Sequence, residues 1–142
     1  MKGNKFFLDT NILIYGFDNR NHLKQKHAQQ LLEDGLEENK AIISYQVIQE
    51  FLHVSSRKFA VPMSIEEQKL FLTTVLLPLC QVYPTGELYK TAIDLKDRYQ
   101  FSFYDSLIVA AALEADCHIL YTEDLQHNQK ILGLKIVNPF AT

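Results

Sequence analysis

Five short apolar runs constrain this chain most: Lys5–Asp9 (KFFLD), Ala41–Ser44 (AIIS), Cys80–Tyr83 (CQVY), His118–Thr122 (HILYT) and Leu134–Asn138 (LKIVN). Each is strand-length and lacks a clear polar face. Helical patterns separate them. In His22–Leu36, Leu23, Ala28, Leu31, Leu32 and Leu36 recur near helical spacing, and in Gln46–Ser56 the residues Val47, Ile48, Phe51, Leu52 and Val54 share one arc. Ser64 with Glu67 three residues on forms a capping-box pattern, with Pro78 past the helix end; Glu87–Tyr99 and Tyr104–Ala115 are two further helices. Strands apolar on both faces and separated by helices predict a parallel sheet covered on both sides. The expected fold is a three-layer α/β/α sandwich around a central, mostly parallel sheet of about five strands. With 142 residues and no linker or repeat, residues 1–142 are expected to form a single domain.

The first run carries a puzzle. Phe6, Phe7 and Leu8 deliver one carboxylate, Asp9; Thr10 and Asn11 follow, and Ile12–Ile14 are apolar again. A charge between two apolar runs is costly unless something pairs with it. Ligands of parallel sheets bind beyond the carboxyl ends of the strands. Three other acids belong at that rim. Glu50 lies in the helix after the second strand, just off the edge of its apolar arc. Asp124 follows HILYT by two residues, beside Glu123. Asp105 opens a helix buried nearly all round, which feeds HILYT and so runs antiparallel to it. Singly, each has a plainer reading: Asp9 an N-cap or turn residue, Glu50 a solvated boundary acid, Asp105 helix-start capping, Asp124 a turn acid. Together, four carboxylates repel and raise one another's pKa, so they need a compensating cation. Oxygen ligands without His or Cys suit Mg²⁺ or Mn²⁺, ions that hold phosphate and activate water for in-line displacement.

The net charge of −3 does not describe a basic nucleic-acid coat, though site carboxylates offset by a metal contribute to it. No apolar run reaches the ~20 residues that span a bilayer, so no membrane association is expected. The N-terminus lacks a signal-peptide plan, and Cys80 and Cys117 lack metal-type spacing; buried free thiols in a cytoplasmic protein are expected. Arg57 and Lys58, Lys96 and Arg98, and Arg20, Lys24 and Lys26 are candidate phosphate contacts or ordinary surface charge. Tyr15 and Tyr104 are candidate base-stacking rings or core-edge aromatics. His53, one turn beyond Glu50, is read as a partly exposed helix residue.

At these residues the chain resembles the PIN-domain family, most closely its VapC-like toxin branch. "LDTNILIY" is similar to the opening motif, "VIQEF" to the second acid, "FSFYDSLIVAAALEADCHILYTEDLQ" to the third and fourth, and "KIVNPF" to tails of this branch. The resemblance implies a metal-dependent ribonuclease with Asp9, Glu50, Asp105 and Asp124 as the catalytic, Mg²⁺- or Mn²⁺-coordinating set. It implies supporting roles for Thr10, Asn11 and Thr122, with Glu123 an adjacent acid that assists or substitutes. It further implies RNA cleavage leaving a 5′-phosphate and a 3′-hydroxyl, a homodimer, and a cognate antitoxin of a type II toxin–antitoxin pair. A housekeeping RNA-processing role is the alternative. A haloacid-dehalogenase-like phosphatase is disfavoured because Asn11 stands where its second acid belongs. A receiver-like module is disfavoured because Lys135 lies inside the last strand rather than at its end. A metal-free PIN domain acting only as a binding module is disfavoured by the four retained acids.

Overall fold

The computed structural model describes residues 5–57, 59 and 62–141. Its element order is β1 (Phe6–Leu8), α1 (Thr10–Tyr15), α2 (His22–Glu37), β2 (Ala41–Ser44), α3 (Tyr45–Ser55), α4 (Ile65–Phe71), a π-helical turn (Leu72–Leu76), α5 (Leu77–Leu79), β3 (Cys80–Val82), α6 (Gly86–Tyr99), α7 (Phe103–Glu114), β4 (Ile119–Tyr121), β5 (Lys130–Ile131) and β6 (Leu134–Val137). One sheet runs β3-β2-β1-β4-β6-β5. All neighbours are parallel except β5 and β6. The fold is the expected α/β/α sandwich, with a sixth, two-residue edge strand.

Both faces of the sheet are covered, as the apolar runs required. Phe6 and Leu8 point to one side and Phe7 to the other, and all three are buried. α3 packs on β2 and β3, α7 packs on β2 and β4, and α6 packs along α7. α7 is buried from Ser106 through Ala112, which fits its continuous apolar sequence. Cys80 and Cys117 are buried free thiols, and burial pushes the Cys117 thiol up to about 12. Among the described residues, no helix is long and apolar enough to cross a membrane.

Three details differ from the sequence expectation. The capping box at Ser64 and Glu67 is present, but the helical run does not stop before Pro78. It continues through the π turn, where Leu77 N–H donates to Leu72 O, and Pro78 sits inside α5. The wider turn directly before Pro78 relieves the clash that a proline ring makes with the carbonyl four residues earlier. Second, α7 begins before Asp105. Ser102 is its N-cap, with Ser102 Oγ accepting from Asp105 N–H, so Asp105 is the third helical residue. Third, β5 pairs antiparallel with β6 through a tight Leu132-Gly133 turn, both residues at positive φ.

β1 lies inside the sheet. From it the chain moves outward to β2 and β3 on one side; β4 and β6 add on the other. The carboxyl ends of β1 and β4 therefore flank the point where strand order reverses, the usual crevice of such sheets.

Candidate active site

Asp9 leaves β1 at this crevice and is also the N-cap of α1. Its Oδ1 accepts from Thr10 N–H at 2.7 Å and its Oδ2 accepts from Thr122 Oγ1 at 2.7 Å. The capping role and the rim position thus coexist in one side chain. It is only 7% exposed. Each carboxylate oxygen still has a lone pair without a donor.

Asp9, Glu50, Asp105 and Asp124 line one cleft of about 280 Å³, together with Thr10, Asn11, Gln46, His53 and Tyr104. α3 supplies Gln46, Glu50 and His53 at i, i+4 and i+7, one stripe of the helix. Glu50 Oε1 accepts from Thr10 Oγ1 at 2.5 Å. Asp124 Oδ2 accepts from Asn11 Nδ2 at 3.1 Å, and Asp124 N–H donates to Thr122 Oγ1 at 3.2 Å. Of the three small polar residues singled out in the sequence, Thr10 touches Asp9 and Glu50, Thr122 touches Asp9 and Asp124, and Asn11 touches Asp124. The structure does not bring Glu123 into the cleft. Past the end of β4 the chain bends, so that Asp124 lines the cleft while Glu123 does not. Glu123 accepts from Tyr15 Oη and pairs with Lys24 Nζ at 3.0 Å.

Charge repulsion and burial act together here. Burial pushes the Asp9 carboxyl up to about 7 from its ordinary 3.8; the Thr122 and Thr10 hydrogen bonds oppose this, and the charges of Asp124 and Glu50 add to it. Asp124 is raised by burial and then by Asp105, Glu123 and Glu50, with Asn11 opposing. Among the described residues, no three His, Cys, Asp or Glu side chains are already gathered closely enough to cage a metal ion. The acids stand apart, Asp9, Glu50 and Asp124 each held by a hydroxyl or amide. The donor chemistry itself fits a hard divalent cation: four carboxylates, with one imidazole, His53, exposed at the edge.

Several sequence candidates are engaged elsewhere. Arg20 makes a two-pronged pair with Asp18, and Lys24 is held by Glu123. Lys26, Arg57, Lys96 and Arg98 are exposed; Lys58 lies outside the described residues. Tyr15 packs edge-on against Phe140 and donates to Glu123, so its ring is occupied. Tyr104 is exposed and lines the cleft. Gln46 was not anticipated; its spacing of four from Glu50 was the available signal.

The family model of the PIN domain matches residues 6–130. The chain belongs to the PIN-domain family. Three solved structures share the fold of this PIN domain. A toxin–antitoxin complex from Klebsiella pneumoniae is 22% identical, covering 97% of this chain and 100% of that one, with a TM-score of 0.67. VapC20 of Mycobacterium tuberculosis, described as a sarcin–ricin-loop-cleaving toxin, is 17% identical over 84% of this chain and 90% of that one, with a TM-score of 0.61. VapBC2 of Rickettsia felis, bound to a promoter DNA fragment, is 17% identical over 92% and 96%, with a TM-score of 0.59. No curated protein matches this PIN domain.

Proposed function

We propose that this PIN domain is a metal-dependent endoribonuclease and the toxin of a type II toxin–antitoxin pair. The supporting observation is the environment of Asp9: a buried carboxylate, pushed up to about 7, that shares one solvent-open cleft with three acids from three other segments. Such an arrangement is unfavourable for a bare fold and favourable for one that receives a cation. Membership of the family and the shared fold with proteins described as toxins support the same reading.

Asp9, Glu50, Asp105 and Asp124 would hold Mg²⁺ or Mn²⁺. When bound, the ion polarises a phosphate oxygen and lowers the pKa of a water molecule. The chain's own residues supply position. Thr10 fixes the Glu50 carboxylate, Asn11 fixes Asp124, and Thr122 fixes Asp9. The clustered acids disfavour an RNA phosphate, and a bound cation would offset that repulsion. The exposed Lys26, Arg57, Lys96 and Arg98 would be the cations available to the flanking backbone. A homodimer and a cognate antitoxin complete the functional unit.

The test is RNA cleavage by the purified protein, with and without EDTA, beside Asp9→Asn and Asp105→Asn. Cleavage that requires added Mg²⁺ or Mn²⁺ and disappears in both variants supports the nuclease; cleavage surviving EDTA overturns it. Induced expression should arrest growth, and a small neighbouring open reading frame should relieve the arrest. Normal growth with soluble, active enzyme would instead assign it to RNA processing.

A further inference from the structure

We propose that the aromatic pocket beside the acid cleft is a nucleobase site, taking one unstacked base of the RNA next to the phosphate that is cut. This rests on the ribonuclease reading and adds to it a recognition site of defined chemistry.

The pocket has a volume of about 210 Å³ and sits between the start of α3, the segment after β3, and the start of α7. Tyr45, Tyr83, Tyr89 and Tyr104 line it, and all four are between 42% and 65% exposed. Four tyrosines left open to solvent around one concavity are unusual for packing alone, since an exposed ring gains little. The Tyr45 and Tyr83 rings have centroids 6.2 Å apart and are tilted by 51°, so neither covers the face of the other. Both offer area on which a planar ring can stack.

Among the described residues, no charged side chain lines the pocket. It is therefore built for a neutral group rather than for phosphate. Its polar groups are those that read a base edge. Gln46 and Gln49 contribute amides with both donor and acceptor atoms. Ser44 is the N-cap of α3, yet its hydroxyl makes no capping hydrogen bond. Ser44 Oγ is buried and has no hydrogen-bond partner. An orphaned buried hydroxyl at a helix N-cap, where one normally binds a backbone N–H, calls for a partner from outside the chain.

Position selects RNA as the occupant. Gln46 and Tyr104 line both this pocket and the acid cleft, and Gln46 Nε2 donates to Tyr104 O at 3.3 Å, so the two residues form a common wall. A ligand held against that wall on one side by its base presents its phosphate to the carboxylates on the other. Single-stranded RNA with a splayed base has this shape.

Two measurements test the site. In the first, amide chemical shifts of the full chain are followed by NMR during titration with the 5′-monophosphates of adenosine, guanosine, cytidine and uridine, and with ribose 5-phosphate, each in EDTA and in Mg²⁺. At least one nucleotide should shift Tyr45–Gln49 and Val82–Tyr89 saturably, ribose 5-phosphate should not, and Tyr83→Ala or Tyr89→Ala should weaken the effect at least fivefold. In the second, kcat/KM is compared for RNAs carrying an abasic ribose at each position around the cut. One position should lose at least tenfold in the wild type and less than twofold in the two variants. Nucleotides that leave these segments unshifted, as a pocket for a protein partner's side chain would, overturn the proposal even if RNA is cleaved. Abasic RNA cut as fast as intact RNA at every position also overturns it. Saturable nucleotide binding without any cleavage keeps the base site and rejects the ribonuclease.

Discussion

Thr122 donates its hydroxyl hydrogen to Asp9 Oδ2 over 2.7 Å, joining the ends of β4 and β1 across 113 residues of sequence. That bond pulls the Asp9 carboxyl down while burial drives it up, and burial prevails. Asp9 in the metal-free fold therefore binds a proton more tightly than in the unfolded chain.

The sign of the pH dependence follows. With the folded pKa raised, the contribution of Asp9 to the stability of the metal-free protein is greatest below the ordinary 3.8 and falls as pH rises through about 7. The full penalty, roughly 4 kcal/mol as an upper figure, applies above that. Asp9→Asn removes it. In EDTA at pH 8, Asp9→Asn should melt at a higher temperature than wild type, and the difference should shrink toward pH 4. Thermal melts by circular dichroism across this window decide it; a variant less stable at pH 8 than at pH 4, relative to wild type, contradicts this account.

Added Mg²⁺ should reverse the order. A cation that binds only the folded cleft stabilises by mass action, about 2.7 kcal/mol at 100 times its Kd. The wild-type melting temperature in EDTA should rise on titration with excess Mg²⁺ at pH 8, whereas that of Asp9→Asn and Asp124→Asn should barely move. Equal gains in all three proteins would place the ion elsewhere.

Thr10 offers a probe of positioning because its hydroxyl donates to Glu50. Thr10→Val keeps volume in a buried position and deletes the donor. RNA cleavage should fall at least tenfold, with a stability loss of about 1–3 kcal/mol, and Thr10→Ser should restore most of the rate. A Thr10→Val enzyme with wild-type kcat/KM shows that Glu50 needs no tether.

Gly35 gives a control remote from chemistry. In an ordinary helix, alanine in place of glycine stabilises by about 1 kcal/mol. Here a Cβ on Gly35 would lie 2.3 Å from Ala41 Cβ and 3.1 Å from Phe6 Cζ, where α2 crosses β2 and β1. Gly35→Ala should instead destabilise by roughly 1–3 kcal/mol, seen as a lower urea midpoint with unchanged activity per folded molecule.

The strands that matter were legible because burial on both faces leaves a continuous apolar run, as in Phe6–Leu8 and Ala41–Ser44. Chain direction put Asp9 and Asp124 just past strand ends and Asp105 in the first turn of α7 at the same rim, whereas Glu50, midway along α3, was placed by its position at the edge of the apolar arc, and the family resemblance joined the four. What was not legible has local causes. Lys130–Ile131 is too short for any periodicity, and its turn depends on Leu132 adopting a positive φ that its side chain disfavours. The π turn before Pro78 arises from backbone accommodation, which composition does not signal. Glu123 looked like a fifth acid of the site because sequence adjacency hides which way a side chain points; its partners, Tyr15 and Lys24, come from α1 and α2.

The four acids come from four separate segments, and Asn11 meets Asp124 across 113 residues. No fragment lacking either Asp9 or Asp124 carries all four acids. A nascent chain that has emerged only through α6 holds Asp9 and Glu50 but neither Asp105 nor Asp124, and β1 still lacks its β4 neighbour. Assembly of the cleft therefore waits until synthesis has passed residue 124. The topology keeps a half-finished chain from presenting the four acids together.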